Sequence, residues 1–462
     1  RRQRQMCIRD RVTSSGLVLA SGVTGIDAGV ATTNNVLSIV TMLAFVALYS
    51  TTGGLRSVIA TDVVQLFIML AGTAAYAWIA LDAVGGLAGI PDRLVDMYGA
   101  DNADRFLSFA PSAQEALIPF LVIVSLQWFF QMNSDGTGYL AQRTMACKNH
   151  GEARLAAIVF TVTQIVFRSL LWLLIGVALL IVYPFDASTA LNEAQIGQRE
   201  LTFALGIDEL LPVGARGLMI TGMLAALAST LDTHLNWGAS YWSNDLYKGI
   251  WVEGIRKRSA GRRELVLVAR LSNLVILTIA LAIMVNLKSI QTAWQISLLF
   301  GAGTGAVLVM RWLWERVNLW CEAGAIIASL LVAPILILAV EDEWLRLLIM
   351  SAVSVVVMIA AAFLMPGTST EKLVSFYRRV HPPGLWRRTA EAAGEDVTAA
   401  RAEFRGDLIG LAACAISVYC WLTGFGRLLL QSSPLWLSVL LVLIGFAAIP
   451  IWLKSLRAVQ PD

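Results

Sequence analysis

Of 462 residues, 57% are hydrophobic and only 15% are charged, and the mean hydropathy is +0.69. A soluble domain carries about 25% charged residues, so a soluble globular protein is excluded. The five cysteines (Cys7, Cys147, Cys321, Cys414 and Cys420) have no metal-type spacing and neither a P-loop nor a zinc motif is present, which leaves direct ATP drive and metal-dependent hydrolysis without support.

Continuous apolar runs of about 20 residues predict membrane-spanning helices, since barrel strands would alternate. Eleven such runs fall near 32–50, 60–81, 114–135, 155–183, 215–245, 264–286, 289–312, 317–340, 344–365, 406–430 and 434–456. Ahead of them, Arg1–Arg11 has a basic start with no apolar core behind it, unlike a signal peptide. Its Met6-Cys-Ile-Arg-Asp-Arg11 resembles translated sequencing-adapter read-through, so residues 1–31 read as a non-native-looking or truncated head.

The second run opens with Thr61-Asp62-Val63-Val64-Gln65 after Gly53-Gly54. Charge counting sets Asp62 at the cytoplasmic end of its helix, close in depth to the lower part of a polar stripe on the fifth run. A helix cap is the alternative role for such an aspartate. The third run ends in Gln127-Trp-Phe-Phe-Gln-Met-Asn133-Ser-Asp135-Gly-Thr-Gly138, either a plain helix end or an unwound segment of the kind that exposes backbone to a solute. The fourth carries Gln164 and Arg168 one turn apart. A mid-span Arg is rarely idle, and two roles fit it: pairing with Asp135 or Asp232, or binding an anionic substrate group.

The fifth run holds Ser229, Thr230, Asp232, Thr233, His234 and Asn236. At about 100° per residue, with Ser229 as zero, Asp232 falls near −60°, Thr233 near +40°, Asn236 near −20°, Ser240 near +20° and Ser243 near −40°. Six polar groups share one face, which a hydrated passage explains. Back-bonding within a packed helix is the alternative for the hydroxyls. A central carboxylate costs about 2.5–3.5 kcal/mol even on the lenient insertion scale, so pairing or cation coordination is the economical role for Asp232. Carboxylate, hydroxyl and carbonyl oxygens suit a hard cation such as Na⁺. His234 lies off the stripe.

Lys and Arg are biased about three to one toward alternate connections that include Pro366–Arg405 and the C-terminus, which assigns that set to the cytoplasm. Because these charges flank membrane spans, a nucleic-acid partner is not expected, and no obligate protein partner is inferred. Residues 366–405 read as a cytoplasmic linker with a short amphipathic helix on the lipid headgroups.

Three groups of residues carry a family resemblance. Tyr49-Ser-Thr-Thr-Gly-Gly-Leu-Arg-Ser57 with Thr61-Asp-Val-Val-Gln65, Gln142-Arg-Thr-Met-Ala-Cys-Lys148 with Glu152-Ala-Arg154, and Gly222-Met-Leu-Ala-Ala-Leu-Ala-Ser-Thr230 with Asn244-Asp-Leu-Tyr-Lys248 resemble the motifs of the sodium:solute symporter family, in order, over about 30–320. The resemblance implies an all-α polytopic membrane protein with a LeuT-type inverted-repeat transporter core. About eleven transmembrane helices would be present, from the fourth core helix onward, with the first core helices missing. Residues 32–312 would be core helices, 313–365 peripheral helices, and 406–462 the C-terminal helices. It implies a transporter, not an enzyme, that imports a small polar solute by alternating access with Na⁺ as coupling ion. The expected location is the plasma (bacterial inner) membrane, with the C-terminus cytoplasmic. Position by position, Ala226, Ser229 and Thr230 match the family's shared sodium site. Asp62 matches an aspartate used by some members for a second sodium, here with Ser229, Asp232 and Thr233; an acid at 232 departs from the usual small or hydroxyl residue. The sugar-transporting members' gating aromatic is Asn133 here and their sugar-contacting Lys is Gln164, so a sugar is not favoured. Gln127, Asn133, Asp135, Gln164 and Arg168 would suit an amino acid or carboxylate. Proton coupling through Asp232 and His234, and a sensory or regulatory membrane module, remain the alternatives.

Overall fold

A computed structural model describes residues 55–109, 117–129, 144–187, 192–284 and 290–457, together with residues 37 and 41. The described residues are helical apart from turns, connections and one isolated bridge, Trp314 to Leu385. Nine helices among them are long and apolar enough to cross a membrane, matching nine of the eleven predicted runs. The run at 32–50 lies outside the described residues except for residues 37 and 41, and the third is described only as the helix Leu117–Phe129.

The chain divides into two compact units: residues 1–97 with 171–290, and residues 98–170 with 291–462. In the first unit α1 (Leu55–Ala83) is packed along α8 (Val213–Ser240). Apolar side chains do not drive helices together within lipid, so close main-chain approach has to, and small residues permit it. A Cβ on Gly72 would lie 3.1 Å from Met219 Cα, and one on Gly222 would lie 3.0 Å from Met69 Cα. The second flank of α8 packs Leu231 and Leu235 against Leu277 and Ile276 of α9 (Arg262–Met284). Beyond α8 the helix continues as a π-helical stretch, Tyr241–Ile255.

At the other end of α1, α7 (Glu193–Leu210) leans on it and on α6 (Arg168–Val182). Tyr76 Oη donates to Phe203 O at 2.9 Å, and the Trp172 and Phe203 rings stack at 4.9 Å. Tyr183 Oη donates to Glu209 Oε2 at 2.7 Å, and Arg216 pairs with Asp208 at 2.8 Å.

The second unit contains α2 (Ile90–Tyr98) only through its last residue, then α3 (Ala100–Leu107), α4 (Leu117–Phe129) and α5 (His150–Thr161), which passes through a π-helical stretch Val162–Phe167. Its main core joins α10 (Ile290–Leu313), α11 (Leu319–Ala339) and α12 (Glu343–Leu364) through Leu299, Ala302, Ala333, Leu336, Leu347 and Met350, with Ile123 and Leu126 of α4 against it. Near the C-terminus α15 (Val397–Leu429) packs on α16 (Leu435–Ala447) and α17 (Ile449–Arg457), where Ser417 Oγ donates to Gly445 O at 2.8 Å.

The stretch 366–405 departs from a linker with one short helix. It forms α13 (Thr370–Val380) and α14 (Arg387–Ala393), closed over a core of Tyr377, Trp386, Ala390 and Ala393. Leu385 N donates to Leu313 O at 2.7 Å and Trp386 Nε1 to Trp312 O at 2.8 Å, while Glu315 Oε2 accepts from both the amide and hydroxyl of Thr389. The Trp386 ring thus finds its burial against the end of α10.

Candidate functional site

Ser229, the first residue of the predicted polar stripe, lies on the face of α8 that meets α1. Asp62 and Ser229, 167 residues apart, are joined by a hydrogen bond: Ser229 Oγ donates to Asp62 Oδ1 at 2.6 Å. Bonds to an ionised acceptor are shorter and about twice as strong as neutral ones. The Ser229 hydroxyl spends its single proton on the carboxylate, so its lone pairs remain available to a cation.

Asp62 is not a helix cap. Helix α1 starts at Leu55, without an acidic residue in its first turn, so Asp62 sits about two turns inside it. The extra turns also correct its depth: it is level with Ser229, the first residue of the stripe, and not with the lower part.

On the same helix as Ser229 the next residue, Thr230, donates from Oγ1 to the carbonyl of Ala226, one turn back, at 2.9 Å. This is the back-bond open to any helical Thr, and it holds two of the three oxygens of the expected shared sodium site next to each other. Ala226 and Ser229 are half-buried and Thr230 is exposed. Thr233 is buried, at 6% exposure. Asp232 lies in α8 between them; its side chain is outside the described residues. His234 is exposed and its Nδ1 donates to Thr230 O at 2.8 Å, within its own helix. At the lower end the even stripe breaks down. Ser243 falls in the π-helical stretch, where the residues per turn change, and its hydroxyl donates to Ala239 O at 2.7 Å.

In the second unit Gln164 and Arg168 come together in and just after the π-helical stretch Val162–Phe167. The Gln164 amide, turned with its oxygen toward the guanidinium, accepts from Nη2 and Nη1 of Arg168 at 2.7 and 2.9 Å. Insertions of this kind in α-helices are frequent at functional sites. Gln127 lies in α4, with its side chain outside the described residues, and Asn133 and Asp135 lie outside them altogether.

Gln65 closes the Thr61-Asp-Val-Val-Gln65 motif, which gave it no role of its own; the geometry does. It follows Asp62 by three residues, so both lie on one face of α1. Its amide oxygen is buried with no hydrogen-bond partner among the described residues. The three-residue spacing from Asp62 is the signal that would have marked it. No group of three or more His, Cys, Asp or Glu side chains able to hold a metal occurs among the described residues. The oxygens gathered here are mainly hydroxyl, carbonyl and amide, a hard and weakly charged donor set.

Comparison with known proteins agrees with this chemistry. The sodium/myo-inositol cotransporter 2 of Bos taurus is 27% identical over 316 residues, covering 63% of this chain and 45% of that protein. The sodium/glucose cotransporter 1 of Ovis aries is also 27% identical, over 321 residues, covering 63% of this chain and 46% of that one. The chain spans about half the length of the curated relatives it matches. Among solved structures, the substrate-bound outward-open state of a Na⁺-coupled sialic acid symporter superposes with a TM-score of 0.51 at 20% identity, covering 79% of this chain and 73% of that one. That likeness is one of fold: an all-α polytopic membrane protein of the LeuT type. The profile of the sodium:solute symporter family matches residues 21–332, two thirds of the sequence with both Asp62 and Ser229 inside it, and the chain belongs to that family.

Proposed function

We propose that this chain acts as a sodium-coupled symporter that imports a small polar solute by alternating access across a plasma membrane, with the C-terminus in the cytoplasm. The observation that carries the reading is the 2.6 Å bond between Ser229 and Asp62, which joins the two motifs expected to supply sodium ligands. In this reading the Ala226 carbonyl and the Ser229 and Thr230 hydroxyls hold one Na⁺. To serve such an ion, the Thr230 hydroxyl would turn its proton away from the Ala226 carbonyl, which would free both oxygens as donors. Asp62, with Ser229, Asp232 and Thr233, would hold a second. Two inward charges draw on the membrane potential at about 2.3 kcal/mol per charge per 100 mV, enough to concentrate a solute strongly.

For the solute, Arg168 and Gln164 support a carboxylate or zwitterion. A guanidinium braced by an amide from one side presents its remaining donors to a planar anion. The named relatives carry sugars and inositols, so the two solute classes are to be compared directly. The test is radiotracer uptake into proteoliposomes under an inward sodium gradient, with choline as the substitute cation and with amino acids, carboxylates, hexoses and inositols as solutes. Uptake indifferent to sodium, or unchanged in the double variant Ser229→Ala with Thr230→Ala, refutes the proposal. Preference for hexose over carboxylate refutes only its solute part.

A further inference from the structure

Helices α1 and α8 run antiparallel in a fixed register. Asp62 meets Ser229, Met69 meets Gly222, and Gly72 meets Met219. Each step along α1 is matched by one step back along α8. Gln65, three residues beyond Asp62, is therefore level with Ala226, three residues before Ser229. The positions 62, 65, 69 and 72 recur at alternating spacings of three and four, the pattern of a helix face that stays against its partner. Gln65 is thus a seam residue, set between the Asp62–Ser229 bond and the Ala226–Thr230 bond.

Its Oε1 is buried and has no hydrogen-bond partner among the described residues. Burying an amide oxygen without a partner is unfavourable, and an aliphatic residue of the same length would avoid that penalty. On this seam the neighbours are small or apolar at Met69, Gly72, Met219 and Gly222, which makes an amide at 65 stand out. An amide carbonyl is a strong neutral oxygen donor, of the kind that holds hard cations.

Resting on the sodium-coupled reading above, we infer that the Gln65 side-chain oxygen is a further cation ligand. It sits level with the Ala226 carbonyl and next to the Asp62–Ser229 pair, and adds a neutral donor that strengthens alkali-ion binding without adding charge. A neutral donor here also leaves Asp62 as the one acid on this face of α1, which keeps the site tuned to a monovalent ion.

The experiment is thermal stabilisation of the purified full chain by NaCl, titrated against choline chloride at constant ionic strength. A ligand at concentration c that binds only the folded state stabilises it by RT ln(1 + c/Kd), so the shift keeps growing with c and reports Kd. Gln65→Met, which keeps the length and removes the oxygen, is expected to raise the half-saturating sodium concentration about tenfold, equivalent to ~1.4 kcal/mol. Its melting temperature in choline should equal or exceed that of the wild type, because a buried oxygen with no partner among the described residues is gone. Gln65→Glu is expected to lower the half-saturating sodium concentration and to make Ca²⁺ a competitor, since paired carboxylates favour divalent ions.

The outcomes separate the two claims. Wild-type protein that shows no sodium-dependent shift removes the sodium-coupled reading, and the Gln65 assignment with it. A wild-type shift that Gln65→Met retains at the same sodium concentration overturns the Gln65 assignment alone. Should Gln65→Met fail to fold, Gln65→Glu decides, and an unchanged sodium titration without calcium competition overturns it.

Discussion

Replacing Gly222 by alanine probes the α1–α8 seam where the two main chains are closest. An ideal Cβ there lies 3.0 Å from Met69 Cα, 3.4 Å from Ile68 O and 3.5 Å from Met69 N. Non-bonded carbons settle at about 3.5–4.0 Å, so the helices must part by roughly 0.5–1 Å at that level. Overpacking of this size costs about 1–3 kcal/mol, and the better helix propensity of alanine returns about 0.5–1 kcal/mol. The net is a loss of roughly 0–2.5 kcal/mol, centred near 1. Gly217 lies on the same helix, and its Cβ would meet nothing within 4 Å. Gly217→Ala therefore keeps only the propensity gain. Parting the helices also stretches the 2.6 Å Ser229–Asp62 bond beyond the length at which O–H···O bonds are strong, about 2.5–3.0 Å. The assay is the fraction surviving as a monodisperse peak after heating, together with the sodium titration. Gly222→Ala should melt lower than wild type and need more sodium, whereas Gly217→Ala should melt higher and bind sodium unchanged. A Gly222→Ala protein as heat-resistant as Gly217→Ala refutes the tight seam.

Three further outcomes follow from other parts of the molecule. Arg168→Gln should abolish uptake of a carboxylate solute while sodium-dependent stabilisation persists; loss of both would make Arg168 part of the helix framework instead. Trp386, at 4% exposure and bonded to Trp312 O, should cost about 3–5 kcal/mol on truncation to alanine, and trypsin should then cut faster after Arg378, Arg379, Arg387 and Arg388. Unaltered cleavage would mean that α13 and α14 are held by something other than this ring. Burial first, and then the bond to Glu209, raise the Tyr183 phenol above its ordinary pKa of 10.0. Above about pH 10 the unfolded chain sheds this proton and the folded chain keeps it, so the stability it contributes is complete below that pH and falls above it. Tyr183→Phe should flatten the alkaline side of the melting-temperature profile; coincident profiles would show that the phenol is not linked to unfolding.

Long uncharged runs made nine spans legible, because a continuous apolar stretch of membrane length has few other uses. Simple helical arithmetic set Ser229, Thr233 and Asn236 on one face, and motif spacing singled out Asp62. What escaped depended on neighbours. The first turn of α1, which begins at Leu55, contains no acid, so an Asp just inside the apolar run looked like the start of the helix. Tyr241–Ile255 winds as a π-helix, which invalidates a fixed 100° step for Ser243. The fold of 366–405 rests on Trp386 reaching Trp312 over 74 residues, and no local pattern encodes that contact. Gln65 could be weighed only after pairing fixed which residue of α8 it faces.

The glycines of the seam also constrain how the molecule can move. Sliding α1 past α8 by a full turn would bring Met69 or Tyr76 up against the 218–219 main chain, where the bare Cα of Gly72 now fits. Ratcheting is sterically barred, while tilting of the two rods together is not. A cation lodged between Asp62 and Ser229 would then ride with a paired strut, and its release would require some third element to swing away.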